Sequence, residues 1–290
     1  MIEAPQSFVV REECEKAASQ NGFRRVLGEE GGWRAFASTT AHGVIYLAAE
    51  GLNGPWFLAV DHAGVVAEID PPSADVPGPG KARYAFASLR QLYAALDRVY
   101  ALGLSLPDAP LREFETRVAN LPRTTEAERL VVQRIGQDIF RTRLMDYWQG
   151  RCPLTGITDA ALLRASHIVP WAECETDAER LDVHNGLLLS ALWDAAFDRA
   201  LVTFDDQGRP EFSPSLSEQA HSELRWSAPI ALTDEHRRRL ARHRERARAL
   251  SYSRAVTTQP DLRDRRNQCG VKRQHRSLQV RQADIGFELD

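Results

Sequence analysis

Between residues 160 and 200, the 290-residue chain sets an imidazole, a carboxamide and two carboxylates in an order that suits hydrolysis. His167 stands near the end of an apolar stretch, 162–168, that reads as a strand. A helix-poor segment leads to Asn185-Gly186, followed by an apolar strand over 187–190 and a short helix carrying Asp194 and Asp198. Those two acids are four residues apart, so on a helix both carboxylates point to one side. Such oxygens can hold a hard divalent cation while a neutral histidine takes a proton from water. Each signal alone has a plainer reading: a hydrogen-bonded structural histidine, a turn, a solvated helix face. The spacing is what joins them.

The runs FRTRLMDYWQGRCPLTGITDAALLRASHIVPW and RLDVHNGLLLSALWDAAFDRALVTFDDQG closely resemble the HNH (ββα-metal) endonucleases. The resemblance is to the branch whose motif reads C-x-hydrophobic-T-G, L-x-A-S/A-H-I-x-P, N-G-L-x-L and F-D. It covers about residues 133–212 and says nothing directly about residues 1–120. It implies that His167 is the general base and that Asn185 braces the loop between the two strands and orients that base. In some relatives this asparagine binds metal. The third motif position lies nine residues after Asn185 and is Asp194 in place of histidine, an H-N-D variant. Aspartate there implies magnesium or manganese as the cofactor, with zinc less suited. Asp198 matches the FD signature and is either a second carboxylate near the metal or an acid that caps or pairs locally. Ser166 stands where many relatives carry Asp or His as a metal ligand; its hydroxyl is a weaker donor. The cysteine pairs that bind zinc in some relatives are absent. His184 could approach the phosphate, with a surface histidine as the plainer reading, and Arg180 and Asp182 fit a structural ion pair or hydrogen bonds near the loop. In the implied reaction a cation sits between Asp194 and the scissile phosphate, and His167 activates water on the opposite side.

These groups need a scaffold, and the pattern predicts an α+β chain. A helix is expected over 11–20, then strands over 33–38, 43–49, 56–60 and 65–69, with turns at Asn53-Gly54 and at 62–64. This is a small antiparallel-sheet domain with helices, residues 1–106, closed by a loop over 71–80 and a helix over 89–101. Pro107 and Pro110, a helix near 111–119 and Pro122 read as a connector, 107–124. The nuclease domain with flanking helices spans 125–250. Its first helix opens on a Thr125/Glu128 capping box, carries Leu130, Val131, Ile135, Ile139, Leu144 and Trp148 on one face, and stops at Gly150. A last helix runs from Thr233 to about 250, and 251–290 reads as a loosely ordered basic tail.

Composition narrows the function classes. The formal net charge is −3, so the molecule is no general polycation. The basic charge is local: 233–250 holds seven arginines against three acids, and 251–290 eight Lys/Arg against five acids. A stripe of that kind can bind phosphates, which makes Arg238, Arg242 and Arg246 DNA-binding candidates. The four cysteines, Cys14, Cys152, Cys174 and Cys269, form no CxxC pair and suggest neither a disulfide scaffold nor a zinc site. No apolar run approaches the roughly 20 residues needed to cross a bilayer. The first ten residues lack the pattern of a signal peptide, so the expected setting is cytoplasmic. Phosphate contacts carry no sequence information, so target choice falls to the N-terminal domain. Trp33, Tyr46, Trp56 and Phe57 are its candidates for a surface that stacks a base, with core packing as the plainer reading; Trp56 is counted with the DNA-binding residues. A sensor domain joined to an HNH nuclease is an arrangement of restriction enzymes, including modification-dependent ones, and of anti-phage nucleases. The other readings are a mobile-element or repair nuclease, and a DNA-binding or sensing protein whose HNH module is catalytically weak. A double-strand cut by single-site domains favours a homodimer.

Overall fold

A computed structural model of the chain describes residues 2–70 and 73–258. The Ser7 hydroxyl accepts from the Val10 N–H and so starts α1 (Phe8–Gln20) a turn before the expected position. Five strands then form one antiparallel meander: β1 (Arg25–Glu30), β2 (Trp33–Ala37), β3 (Val44–Ala49), β4 (Trp56–Val60) and β5 (Ala82–Phe86). The expected strand over 65–69 is instead part of a short helix, α2 (Ala63–Ala67). The His62 ring accepts from the Val65 N–H and caps it, and β5 takes the place beside β4. Two strands escape the sequence pattern for different reasons. β1 is exposed at every position, so it shows no alternation of hydropathy. β5 reads Ala-Arg-Tyr-Ala-Phe, and alanine at one of its inward positions gives a faint signal.

The sheet buries both faces at β4, with a period of two. Ile45, Leu47, Trp56, Leu58 and Tyr84 join the main core beneath α1 and α3 (Leu89–Ser105). Trp33, Ala48, Phe57 and Ala59 form a smaller cluster on the other face, with Ile2, Tyr46 and Val76 packed on it. The segment 107–124 contains α4 (Ala109–Val118), whose Phe114 and Val118 are buried and which packs against α3 and the following helix.

That helix, α5 (Glu126–Tyr147), has the expected Thr125/Glu128 capping box. Its inward face differs from expectation. Leu130 and Val131 are exposed, and Val132, Gly136, Ile139, Phe140, Leu144 and Tyr147 face inward. Two glycines admit close packing at this face. A Cβ on Gly136 would lie 2.6 Å from the Trp171 ring, and one on Gly186 would lie 2.6 Å from the Phe140 ring. Next come β6 (Leu163–His167), a 3₁₀ turn at Trp171–Glu173, α6 (Asp177–Leu181), a 3₁₀ turn at Val183–Asn185, β7 (Gly186–Ser190) and α7 (Ala191–Asp198). β6 and β7 pair antiparallel, with His167 opposite Gly186 and Ser166 opposite Leu187. A hairpin of β8 (Val202–Phe204) and β9 (Pro210–Phe212) leads to α8 (Glu218–Glu223) and α9 (Asp234–Thr258).

α9 runs on past the expected end near 250; the rest of the basic tail, 259–290, with Cys269, lies outside the described residues. The main core is continuous from Val10 in α1 to Leu240 in α9. Cys14, Cys152 and Cys174 are buried free thiols. Among the described residues no helix is long and apolar enough to cross a membrane.

Candidate active site

Alternation along β6 sends His167 and Ser166 to opposite faces. His167 turns toward α5, where its ring stacks on Phe140 with centroids 3.8 Å apart and meets Trp171 edge to face at 5.6 Å. Its Nε2 lies 2.9 Å from the Arg180 carbonyl oxygen. A carbonyl oxygen only accepts, so Nε2 carries the proton and the neutral ring keeps its lone pair on Nδ1. Burial lowers the pKa of this ring below the ordinary histidine value, and the bond to Arg180 offsets only part of that. The ring is therefore neutral at pH 7, with a defined basic nitrogen.

Arg180 is itself fixed. Its guanidinium donates to Asp177 at 3.0 Å, to the Trp171 carbonyl at 3.3 Å and to the Cys174 carbonyl, and it lies over the Trp171 ring. Asn185 closes the same loop from within. It is fully buried, and its Oδ1 accepts from the Val169 N–H at 2.9 Å. Its Nδ2 donates to the carbonyls of Val169 and Glu179, both at 3.2 Å, and to Cys174 Sγ at 3.3 Å. The Asn185 carbonyl takes the Ile168 N–H at 2.9 Å. One amide thus ties both ends of the loop that starts after His167 and returns to the carbonyl accepting from it.

On the other face of β6, the Ser166 hydroxyl donates to Asp194 Oδ1. Asp194 and Asp198 lie one turn apart on α7. Partial shelter from water raises the Asp198 pKa, and the neighbouring Asp194 charge raises it further; Arg199 and Arg246 oppose this. Two carboxylates that repel each other beside a hydroxyl are an oxygen donor set suited to a hard cation, which would relieve that repulsion. Among the described residues no cluster of three or more His, Cys, Asp or Glu side chains is placed to hold a metal. Water and phosphate oxygens would have to complete the shell.

Other expected site residues fall elsewhere. Trp56 is 2% exposed and packs in the main core, on the sheet face beneath the helices, so it cannot stack a base at the surface. Trp33 and Phe57 are each 4% exposed, under Ile2 and Val76; only Tyr46 is half-buried. His184 is a buried residue bonded to Asp182 and Glu68, not a surface group near phosphate. Arg180 and Asp182 do make structural ion pairs, but with Asp177 and Arg239 respectively. On α9, Arg238 pairs with Glu235 and Arg242 with Glu179, while Arg246 donates to the Asp198 carbonyl at 3.5 Å. Arg238 and Arg242 stay exposed at 70% and 55%. Phe140 and the Arg180 carbonyl, which touch His167, and Glu68, which touches His184, are groups that the motif does not mark. An aromatic on α5 opposite a strand glycine is a faint sequence cue for the first; the other two have none.

The sequence profile of the HNH endonuclease family matches residues 152–205, under a fifth of the chain. No curated protein matches the chain. The matched span holds β6, β7 and α7 and contains Ser166, His167, Asn185, Asp194 and Asp198. This ββα segment of the chain, residues 152–205, belongs to the HNH endonuclease family.

Proposed function

We propose that the chain is a metal-dependent DNA endonuclease working in the cytoplasm in restriction or anti-phage defence, with His167 as the general base and Asp194 and Asp198 as metal ligands. The observation that carries this reading is the single short strand β6. It presents Ser166 against Asp194 on one side and, in the next residue, a neutral histidine whose Nε2 is committed to a carbonyl. His167 Nδ1 takes the proton of the attacking water. Asn185 keeps the loop, and with it the Arg180 carbonyl, in register with the ring. A magnesium or manganese ion held by the two carboxylates would supply charge neutralisation at the scissile phosphate and the leaving oxygen. Ser166 orients Asp194 by donating to it. Arg246 and Arg199, the cations beside Asp198, are the nearest groups for the DNA backbone, with Arg238 and Arg242 further along α9.

Target choice is assigned to the N-terminal domain. Its sheet bears a cleft of about 1060 Å³ lined by Leu27, Trp33, Tyr46, Phe57 and Val76 together with Glu29, Glu30 and Asp75. A cleft of that size with apolar walls and a few polar groups is the usual form of a ligand site.

Supercoiled plasmid incubated with the protein plus magnesium or manganese should be cut, and EDTA should stop the reaction. Linear product before the nicked form is exhausted would indicate two sites acting together, as in a homodimer. Comparing methylated, hydroxymethylated and unmodified DNA tests the restriction role. No cutting with either metal would sink the endonuclease reading and leave a DNA-binding module.

A further inference from the structure

Glu68 reaches the nuclease segment from 116 residues away in sequence. It follows α2 in the N-terminal domain, and its Oε1 lies 2.7 Å from His184 Nε2. The other ring nitrogen, Nδ1, lies 2.9 Å from Asp182 Oδ1, and Asp182 Oδ2 meets the Arg239 guanidinium of α9. Both imidazole nitrogens face carboxylate oxygens, which only accept. The ring therefore holds two protons and a positive charge. None of the four side chains is more than 17% exposed. Their charges alternate along the row, so every buried charge has an opposite neighbour, and removing Glu68 leaves the His184 Nε2–H without its acceptor and the row with a net positive charge.

What His184 is attached to gives the contact its meaning. His184 and Asn185 form one 3₁₀ turn, capped by Asp182, whose Oδ1 accepts the His184 N–H at 2.9 Å. Asn185 then clamps Val169, two residues past His167, and Glu179, the residue before the carbonyl that accepts from His167. The contacts run without a gap from Glu68 through His184 and Asn185 to the loop and the base. A domain-to-domain ion pair serving stability alone could sit anywhere on the interface; this one holds the turn that carries the clamp.

We propose that Glu68 is a positioning residue of the nuclease site: by fixing His184 and the turn bearing Asn185, it lets the N-terminal domain set the orientation of His167. The proposal rests on the reading of His167 as the base. A ligand on the N-terminal domain that displaces α2 would then change the rate of cleavage more than the affinity for DNA.

The test uses full-length protein. Glu68→Ala should lower kcat at least tenfold while leaving KM and DNA affinity unchanged. Glu68→Gln keeps an oxygen that can accept from His184 Nε2, and should recover most of the rate. Imidazole NMR without DNA should show the His167 ring signals displaced in Glu68→Ala and near their parent positions in Glu68→Gln. Parent kcat in Glu68→Ala, or unmoved His167 signals, would overturn the proposal. If the parent itself cuts no DNA with either metal, the endonuclease reading fails and the His167 signals alone decide the link. If Glu68→Ala does not fold, a double-mutant cycle of Glu68→Gln with His184→Gln replaces it. Non-additive effects on kcat would support the link, and additive ones would refute it.

Discussion

At the residue scale, the proposed reaction turns on one nitrogen, of His167, and one carboxylate, of Asp194. His167→Ala should slow cleavage by about 10²- to 10⁴-fold, the usual contribution of a positioned base. DNA binding should survive, because the loop stays clamped by Asn185, and initial rates on plasmid beside a gel-shift measurement check both halves. Burial lowers the His167 pKa, so the acid limb of the rate profile should lie below pH 6.5, the ordinary histidine value. A limb above that value would mean another group is the base. Asp194→Asn keeps the shape and can still accept from Ser166, yet loses the charge. It should abolish magnesium-supported cutting, while Asp194→His should restore part of it with metals that accept imidazole. A merely solvated Asp194 would cost under about 0.5 kcal/mol of stability on substitution and no activity, and full activity in Asp194→Asn would move the metal ligand to Asp198.

At the scale of elements, the approach of α5 to β7 shapes the site from behind. A Cβ at Gly186 would lie 2.6 Å from Phe140 Cζ and 2.8 Å from Leu144 Cδ1. Gly186→Ala should therefore destabilise the fold by about 1–3 kcal/mol through overpacking. Because Phe140 stacks on His167, the same change should also slow cleavage. Denaturant midpoints and rates on one sample read both, and a loss of stability with an unchanged rate would separate Phe140 from the function of the base. α9 raises a different question, since Arg238, Arg242 and Arg246 already have partners within the chain. Replacing Arg238, Arg242 and Arg246 by glutamine should flatten the dependence of log affinity on log salt, by about 0.9 for each phosphate no longer neutralised. Arg246, beside Asp198, should account for the largest single share, and an unchanged slope would make α9 a structural helix only.

At the scale of the molecule, three buried histidines pull stability in opposite directions with pH. Burial alone would lower the His184 pKa, but Asp182 and Glu68 raise it to about 9. A raised folded value adds stability in full below the ordinary 6.5 and loses it as pH rises through about 9. The contribution is at most about 3.5 kcal/mol, at about 1.4 kcal/mol for each pKa unit. His236 and His243 behave the other way: burial lowers them to about 3 and about 4, so they are neutral in the fold. Their contribution is present above 6.5 and fades as pH falls toward those values. Denaturant midpoints from pH 4 to 10 should peak near neutrality, and His184→Gln should flatten the alkaline side. A parent protein equally stable at pH 7 and 10 would show that His184 is not charged in the fold.

The ββα segment was legible from residues alone because its signals are local. The apolar strands, the short helix, the four-residue spacing of Asp194 and Asp198 and the Thr125/Glu128 cap all report the period of a backbone or the partner of its first N–H groups. The structure keeps each of them within a residue or two. Side selection was not legible. β4 is buried on both faces, so its sequence could not say that Trp56 turns to the core and Phe57 to the other side. Nor could hydropathy alone separate the expected strand over 65–69 from a short helix where His62 caps Val65. Charge pairing lay furthest out of reach. Glu68 meets His184, and Arg239 meets Asp182, only because the chain folds back over more than fifty residues between each pair. Periodicity and capping act over about four residues and survive in the sequence. Which face is buried, and which charge meets which, depends on chain reversal, and only the assembled core decides that.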